Sequence, residues 1–174
     1  MEQQAKYRQD EWDAAKEGER QKEAIKRAGR TAIRRKALSV PMRWLLKEKL
    51  LHGSILDYGC GRGDDVRRLK DKRKFIVGYD PNHDSMDYWD MARYRFDTIT
   101  CNYVLNTVDE ATGQRIINEL RRLLHPQGTA YISVRRDIKK EGMTSRNTYQ
   151  RNVVLDLPIV RETSTYCIYK LEKE

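Results

Sequence analysis

Short apolar runs alternate with amphipathic segments along most of the chain. Continuous apolar stretches predict buried strands at residues 54–58, 74–79, 96–102 and 129–134, the last one preceded by a turn at 125–128. Apolar residues at helical spacing predict helices at 64–70 and 111–124, and a closing pair of strands is predicted at 153–160 and 165–171. Strands that alternate with helices indicate an α/β fold whose largely parallel sheet is covered on both faces.

The first 36 residues differ in composition from the rest of the chain. They are dominated by Gln, Glu, Lys, Arg and Ala, which favour helix, and large apolar residues are sparse before residue 22. We therefore predict a charged N-terminal helical extension at residues 1–36, followed by one domain at residues 37–174. The domain should begin with a helix capped by Ser39, with Pro41 in its first turn, that ends at His52 and Gly53. The residues of this helix predicted to face the core are Met42, Leu45, Leu46 and Leu50.

Composition narrows the class of protein. The chain has 174 residues, the length of one domain, and 35% of them are charged. The sequence has no apolar run of about 18 residues that would predict a membrane span, and the N-terminus lacks the apolar core of a signal peptide. The three scattered cysteines, Cys60, Cys101 and Cys167, fit a reducing compartment. We therefore predict a cytoplasmic protein without a metal site or a membrane partner.

The net charge of +9 makes a polyanion a natural partner. Basic residues cluster between Lys22 and Lys36, where Glu23 is the only acid, and again between Arg135 and Arg151. Both stretches are predicted to contact nucleic acid. The second follows a predicted strand and would hold phosphate at the carboxyl edge of the sheet. A solvated helix face and an exposed basic loop are the alternatives, because the same charges predict them equally well.

The segment 55–65, with the sequence ILDYGCGRGDD, carries the most specific signal. An apolar strand runs into Gly59, Gly61 and Gly63, and a helix follows at once. Glycine is needed where a backbone turns sharply and approaches a ligand closely, because a Cβ atom would block that approach. The ligand is therefore predicted to lie at the carboxyl edge of the sheet, with Asp57 directly before the glycines.

The acids around this loop favour S-adenosyl-L-methionine (SAM) over a dinucleotide. Asp64 stands where a G-x-G-x-x-G fingerprint has its last glycine, and together with Asp65 it would repel a pyrophosphate at the helix N-terminus. SAM has no phosphate and carries a cationic amine and a sulfonium, and Asp57 can orient the amine. The next predicted strand ends in Asp80, whose carboxylate can accept both hydroxyls of a ribose. A dinucleotide site and a purely structural glycine turn stay open as alternatives.

The pattern D-x-G-x-G-x-G, with an acid at the end of the next strand, resembles the class I SAM-dependent methyltransferases. The motifs DYGCGRGDD, GYDPN and NYVLN also resemble the methyltransferases associated with DNA phosphorothioation, over about residues 28–135. The resemblance implies a Rossmann-like sheet of seven strands, mostly parallel with one antiparallel strand near the C-terminus, and SAM as cofactor in a DNA-modification or anti-restriction setting. The residues predicted to bind the cofactor are Asp57, Gly59, Cys60, Gly61, Gly63, Asp65, Asp80, Pro81 and Asn102.

The methyl acceptor is predicted to bind next to the residues that end the third strand. Asn102 can hydrogen-bond the acceptor or the cofactor amine, and Tyr103 either stacks on a planar group or packs against the following helix. This stretch contains neither D/N-P-P-Y/F nor a Pro-Cys pair, which argues against ordinary exocyclic-amine or cytosine C5 methylation of DNA. We predict a SAM-dependent methyltransferase that acts on nucleic acid. The alternatives are a SAM-binding sensor or partner module without transferase activity and a small-molecule methyltransferase.

Overall fold

The computed structural model describes residues 2–83 and 85–173, with side chains from residue 14 onward. The helices are α1 (Glu2–Gly29), α2 (Val40–Lys47), α3 (Asp64–Asp71), α4 (Tyr88–Arg93) and α5 (Glu110–Leu123), and a 3₁₀ turn spans Leu105–Thr107. The strands are β1 (Ile55–Tyr58), β2 (Ile76–Tyr79), β3 (Phe96–Asn102), β4 (Leu124–Arg135), β5 (Gly142–Met143), β6 (Tyr149–Gln150), β7 (Ile159–Glu162) and β8 (Tyr166–Glu172).

Six of these strands form the main sheet in the order β2-β1-β3-β4-β8-β7, and β5 pairs with β6 in a separate hairpin. The pairs β1–β2, β1–β3 and β3–β4 are parallel, whereas β8 is antiparallel to both β4 and β7. Within the described residues, β8 is therefore the single strand of the main sheet that runs against the others. The predicted fold class, a mostly parallel Rossmann-like sheet with one antiparallel strand near the C-terminus and a helical N-terminus, is confirmed.

The main sheet has six strands in the described part of the chain, whereas the family resemblance implied seven. Between β2 and β3 the chain forms α4, which has six residues, and no strand lies among the described residues of this crossover. β2 is therefore an edge strand of the main sheet. Outside it, the amide of Met86 donates one hydrogen bond of 2.9 Å to the carbonyl of Gly78.

Side chains from both faces of the sheet are buried, as the sequence predicted. On one face, Leu120 and Leu123 of α5 pack with Leu56 and Ile99 of the sheet. On the other face, α2 and α3 cover Ile55 and Ile168, and the buried helix residues there include Met42, Leu45 and Leu69. Leu46 and Leu50 are only partly buried and lie at the margin of this second cluster.

Three boundaries predicted from the sequence are wrong. Helix α2 ends at Lys47 and not at residue 52, since Lys49 adopts a left-handed φ of 59° and the chain turns there. Residues 125–128 are no turn: they belong to β4, where Leu124 pairs with Phe96 and Thr129 already pairs with Thr98, so the intervening residues form an irregular bulge. The strand predicted at 153–160 begins only at Ile159, because Pro158 has no N–H to donate to a ladder.

Candidate active site

A cavity of about 340 Å³ lies at the carboxyl ends of β1, β2 and β3, where parallel α/β sheets bind their ligands. Eight of the nine predicted cofactor-binding residues line it: Asp57, Gly59, Cys60, Gly61, Asp65, Asp80, Pro81 and Asn102. The ninth, Gly63, does not line the cavity. It precedes the first residue of α3 with a left-handed φ of 69°, so its role in this structure is to turn the chain into the helix.

The loop after β1 depends on glycine for its shape. Gly59 and Gly61 have φ values of 73° and 54°, in the left-handed region that side chains disfavour. A Cβ atom on Gly59 would lie 2.3 Å from Cγ2 of Val104, and one on Gly61 would lie 3.0 Å from the Cβ of Ala32. The amides of Gly59 and Cys60 donate to the carbonyl of Tyr79, at 2.7 and 3.1 Å, which holds the loop against the end of β2.

Asp57 is a buried carboxylate in the floor of the cavity, with 3% of its surface exposed. Its Oδ1 accepts a hydrogen bond of 2.8 Å from the hydroxyl of Thr100. Burial raises the pKa of Asp57 to about 8, and repulsion from Asp65 and Asp80 adds to the effect. A cation bound next to Asp57 would relieve this penalty, and the cationic amine of SAM meets that requirement.

Asp80 is tied to the glycine loop as well as to its own turn. Its Oδ2 accepts from the amide of Gly61 at 2.9 Å, while its Oδ1 accepts from the amide of Asn82 at 2.9 Å and lies 3.0 Å from Nδ1 of His83. The carboxylate is thereby held at the tip of β2, facing the cavity. Its oxygens keep free lone pairs for a further donor such as a ribose hydroxyl, so the predicted ribose contact stays a prediction consistent with this geometry.

The two acids at the N-terminus of α3 anchor the segment that joins α1 to α2. Oδ2 of Asp64 accepts from the amide of Arg35 at 2.7 Å, and Oδ1 of Asp65 accepts from the amide of Ser39 at 2.8 Å. Asp64 also pairs with the guanidinium of Arg67. In the sequence, Asp64 and Asp65 argue against a pyrophosphate, and Asp65 is predicted to bind the cofactor. In the structure both acids also fix the N-terminal segment over the glycine loop.

Asn102 and Tyr103, the candidate catalytic residues, both line the cavity at the end of β3. Oδ1 of Asn102 accepts from the hydroxyl of Ser133, while Nδ2 is buried and has no hydrogen-bond partner. Tyr103 has a left-handed φ of 63°, uncommon for an aromatic residue. Burial raises the pKa of Tyr103 to about 12, so its hydroxyl stays protonated at neutral pH and offers no base.

Some residues that line the cavity were not predicted from the sequence. Ile25, Ala28 and Gly29 at the end of α1 line it, and so does Gln150 from the β5–β6 hairpin. Ile25, Ala28 and Ala32 are at helical spacing, which is typical of a packing face and does not indicate a cavity. The contact that fixes this arrangement is non-local, because Nδ2 of Asn82 donates to the carbonyl of Ile25 at 2.8 Å.

The two basic stretches differ in how far their charges are already paired. In the loop from Arg135 to Arg151, Arg135 pairs with Asp137 and Arg136 pairs with Glu162. Nε of Arg151 donates to a backbone carbonyl at 2.8 Å. Between Lys22 and Lys36 most basic side chains are exposed on the N-terminal segment. Contact of either stretch with nucleic acid stays a prediction.

No group of three or more His, Cys, Asp or Glu side chains among the described residues could hold a metal ion. None of the helices in the described part of the chain is both long and apolar enough to cross a membrane.

Comparison with known proteins shows the family. A family profile of the methyltransferase domain matches residues 23–157, a span that includes the end of α1 and the whole cavity region. No curated protein matches the chain. Because the matched family is the broad one, the narrower resemblance to DNA phosphorothioation-associated methyltransferases stays a prediction.

Several solved structures share the fold. The 1,6-didemethyltoxoflavin N1-methyltransferase of Burkholderia thailandensis aligns with a TM-score of 0.55 at 16% identity, over 77% of each chain. The PH0226 protein of Pyrococcus horikoshii OT3 aligns with a TM-score of 0.56 at 14% identity, over 76% of this chain and 87% of that one. A structure from work on disulfide-to-thioacetal conversion in echinomycin biosynthesis aligns at 0.51 and 24% identity over 58% of this chain, which spans about half (52%) of that protein. The chain therefore belongs to the methyltransferase domain family, and it shares the fold of these solved structures.

Proposed function

We propose that the cavity binds SAM and that the protein transfers the methyl group of SAM to a small-molecule acceptor. The observation that carries the proposal is the placement of Asp57 and Asp80 on either side of the left-handed glycine loop, all in one cavity. Bound SAM would supply an electrophilic methyl carbon, and methyl transfer from a sulfonium depends chiefly on positioning of the acceptor. The residues of the chain therefore act by binding and orienting.

The charges of the cavity complement the polar groups of SAM. Asp57 is buried with a single hydrogen bond, from Thr100, and therefore favours a cation such as the amine. Asp80 at the tip of the neighbouring strand suits the ribose hydroxyls. Arg35 lines the same cavity close enough to lower the pKa of Asp57, and its guanidinium suits the carboxylate of the methionine part.

The cover over the cavity favours a small acceptor. The end of α1 and the β5–β6 hairpin both line the cavity, and Nη1 of Arg27 on α1 lies 3.2 Å from the sulfur of Met143 on the hairpin. Two segments far apart in sequence therefore meet above the site, and the base of an intact nucleic acid would have to pass between them. The Burkholderia thailandensis enzyme was solved with 1,6-didemethyltoxoflavin and S-adenosylhomocysteine bound, so a related fold holds a small acceptor beside the spent cofactor.

Calorimetric titration with SAM tests the cofactor site, with NAD⁺ as the comparison ligand. We expect SAM to bind and NAD⁺ to give no signal, because acids surround the N-terminus of α3. Asp80→Asn should weaken SAM binding, whereas Asp71→Asn, the same change at the exposed far end of α3, should leave it unaltered. Absent SAM binding, or equal affinity in both variants, would contradict the proposed site.

The acceptor class is tested by incubating the protein with methyl-labelled SAM and separate pools of acceptors. The proposal expects S-adenosylhomocysteine to accumulate with small-molecule pools. Methylation of DNA or RNA, lost on replacement of Lys22 and Lys26, would instead support a nucleic-acid acceptor. SAM binding without turnover on any pool would favour the sensor or partner module.

A further inference from the structure

Two buried polar atoms in the lining of the cavity have no hydrogen-bond partner in the protein. One is the donor Nδ2 of Asn102, and the other is the acceptor Oε1 of Gln150. A buried polar group without a partner costs about 1–3 kcal/mol. Groups left open in this way inside a binding cavity are therefore candidates for contacts with a ligand.

The strand order of the main sheet places Asn102 on the side of the cavity away from Asp80. Along the carboxyl edge, Asp80 directly follows β2 and Asp57 lies in β1, and these are the residues that suit the ribose and the amine of SAM. Asn102 ends β3, the next strand along this edge, and β4 follows. The open amide of Asn102 therefore lies beyond the charged groups that suit the cofactor.

A buried asparagine holds Gln150 in the same corner as Asn102. Asn106 is fully buried; its Oδ1 accepts from the amide of Arg135 at 2.8 Å and its Nδ2 donates to the carbonyl of Arg151 at 2.9 Å. The amide of Arg151 returns a hydrogen bond of 2.9 Å to the backbone carbonyl of Asn106. Gln150 is thus fixed next to the end of β4, and on that strand Ser133, two residues before Arg135, is the register partner of Asn102.

We infer that Gln150 and Asn102 recognise the methyl acceptor, and that this acceptor is a small neutral compound with an N–H group next to a carbonyl, as in a lactam ring. This inference rests on the proposed function. Oε1 of Gln150 accepts from the N–H, and Nδ2 of Asn102 donates to the carbonyl oxygen. The ring of Tyr103, which also lines the cavity, provides a face for a planar group.

Other acceptor chemistries leave part of this site unused. An alkylamine is cationic and needs a carboxylate, whereas both open groups are uncharged amides. A carboxylic acid has no N–H for Gln150 and would look to Arg135, whose guanidinium already pairs with Asp137 at 2.9 Å. A phenol would have to donate to Gln150 and accept from Asn102 through the same oxygen, whereas a lactam offers each amide an atom of its own.

The test measures binding of 2-pyridone to the protein saturated with S-adenosylhomocysteine, compared with N-methyl-2-pyridone, benzylamine and benzoate. We expect 2-pyridone to bind at least fivefold more tightly than its N-methyl derivative, which lacks the N–H. Gln150→Leu should remove that difference by weakening 2-pyridone alone, with affinity for S-adenosylhomocysteine unchanged. Gln127→Leu, the same change at an exposed position of β4, is the matched control and should behave as the wild type.

Several outcomes would overturn the inference. The wild type could bind the two pyridones equally, or bind benzylamine or benzoate more tightly than 2-pyridone. It could also fail to bind 2-pyridone at about 10 mM, or Gln150→Leu could keep the wild-type preference. The comparison of the two pyridones on the wild type needs no variant to fold. If S-adenosylhomocysteine itself fails to bind, the proposed function fails, and this inference fails with it; if it binds and the pyridones are not distinguished, the inference alone is lost.

Discussion

Binding of SAM should release a proton from Asp57. This carboxyl group is buried and accepts one hydrogen bond from Thr100, and its pKa is raised to about 8. With that pKa it is about 90% protonated at pH 7 and about 50% protonated at pH 8. If the cationic amine of SAM binds the ionised form, about 0.9 proton leaves the site per SAM bound at pH 7 and about 0.5 at pH 8.

The same equilibrium sets the pH dependence of the affinity. The dissociation constant rises by the factor 1 + 10^(pKa − pH), which is about 100-fold at pH 6, about 10-fold at pH 7 and about twofold at pH 8. The effect at pH 7 amounts to about 1.4 kcal/mol of binding free energy. The useful range ends near pH 8, because an α-amino group titrates at about that pH and the ligand then loses its own charge.

Calorimetry in buffers of different ionisation enthalpy gives the proton count directly. The slope of the observed binding enthalpy against the buffer ionisation enthalpy should correspond to about one proton at pH 6.5 in the wild type. Asp57→Asn should give a slope near zero and an affinity that no longer improves between pH 6 and 8. Asp71→Asn, an exposed acid at the end of α3, should retain the wild-type slope. An enthalpy independent of buffer in the wild type, or an unchanged proton count in Asp57→Asn, would refute the assignment of Asp57 to the cationic group.

Four further outcomes are expected. Asp80→Asn should weaken SAM binding by about 1.5–3 kcal/mol in calorimetry, the cost of losing a charge-assisted hydrogen bond; unchanged affinity would show that the ribose lies elsewhere. Gly61→Leu should abolish SAM binding while thermal unfolding stays cooperative, because its side chain points at Ala32 across the cavity. Asn106→Ala should lower the free energy of unfolding by about 1–3 kcal/mol in urea, since it removes the partner of the Arg135 amide and of the Arg151 carbonyl, and an unchanged free energy of unfolding would contradict that role. Because the pKa of Asp57 rises from 3.8 on folding, its contribution to stability is complete below about pH 4 and is lost as pH rises towards 8, so the wild type should lose stability relative to Asp57→Asn between pH 6 and 8.

Features set by local sequence were predictable in this chain. The span of β3, Phe96–Asn102, and the start of α3 at Asp64 follow from apolar runs that end at turn residues. The glycine loop is equally local, because left-handed φ values at Gly59 and Gly61 need glycine wherever the loop occurs. Since parallel strands bring their carboxyl ends to one edge, placing Asp57 and Asp80 in one cavity required only the strand order.

The features that were predicted wrongly or not at all depend on contacts between residues distant in sequence. The run from His125 to Gly128 has the residues of a turn, yet it remains in β4, because Gly128 can approach Phe96 so closely that a Cβ atom would lie 2.6 Å from its carbonyl oxygen. Gln150 stands in a loop that the sequence marked only by its positive charge. Its place in the cavity follows from the bonds of Asn106 to Arg151, which no local pattern indicates.

The cofactor was easier to predict than the acceptor because the two ligands require different kinds of binding group. SAM is charged, and a charged ligand requires charged or backbone groups at fixed points of the fold. The proposed groups, Asp57 and Asp80, belong to a motif that can be recognised in the sequence. A neutral acceptor is held by amides such as those of Asn102 and Gln150, residue types that occur throughout any chain and gain meaning only when they are buried without a partner. The hairpin that brings Gln150 to the site lies outside the repeating strand–helix pattern, so it can change without disturbing the cofactor site. A substitution at residue 150 should therefore change which acceptor binds without changing the affinity for SAM.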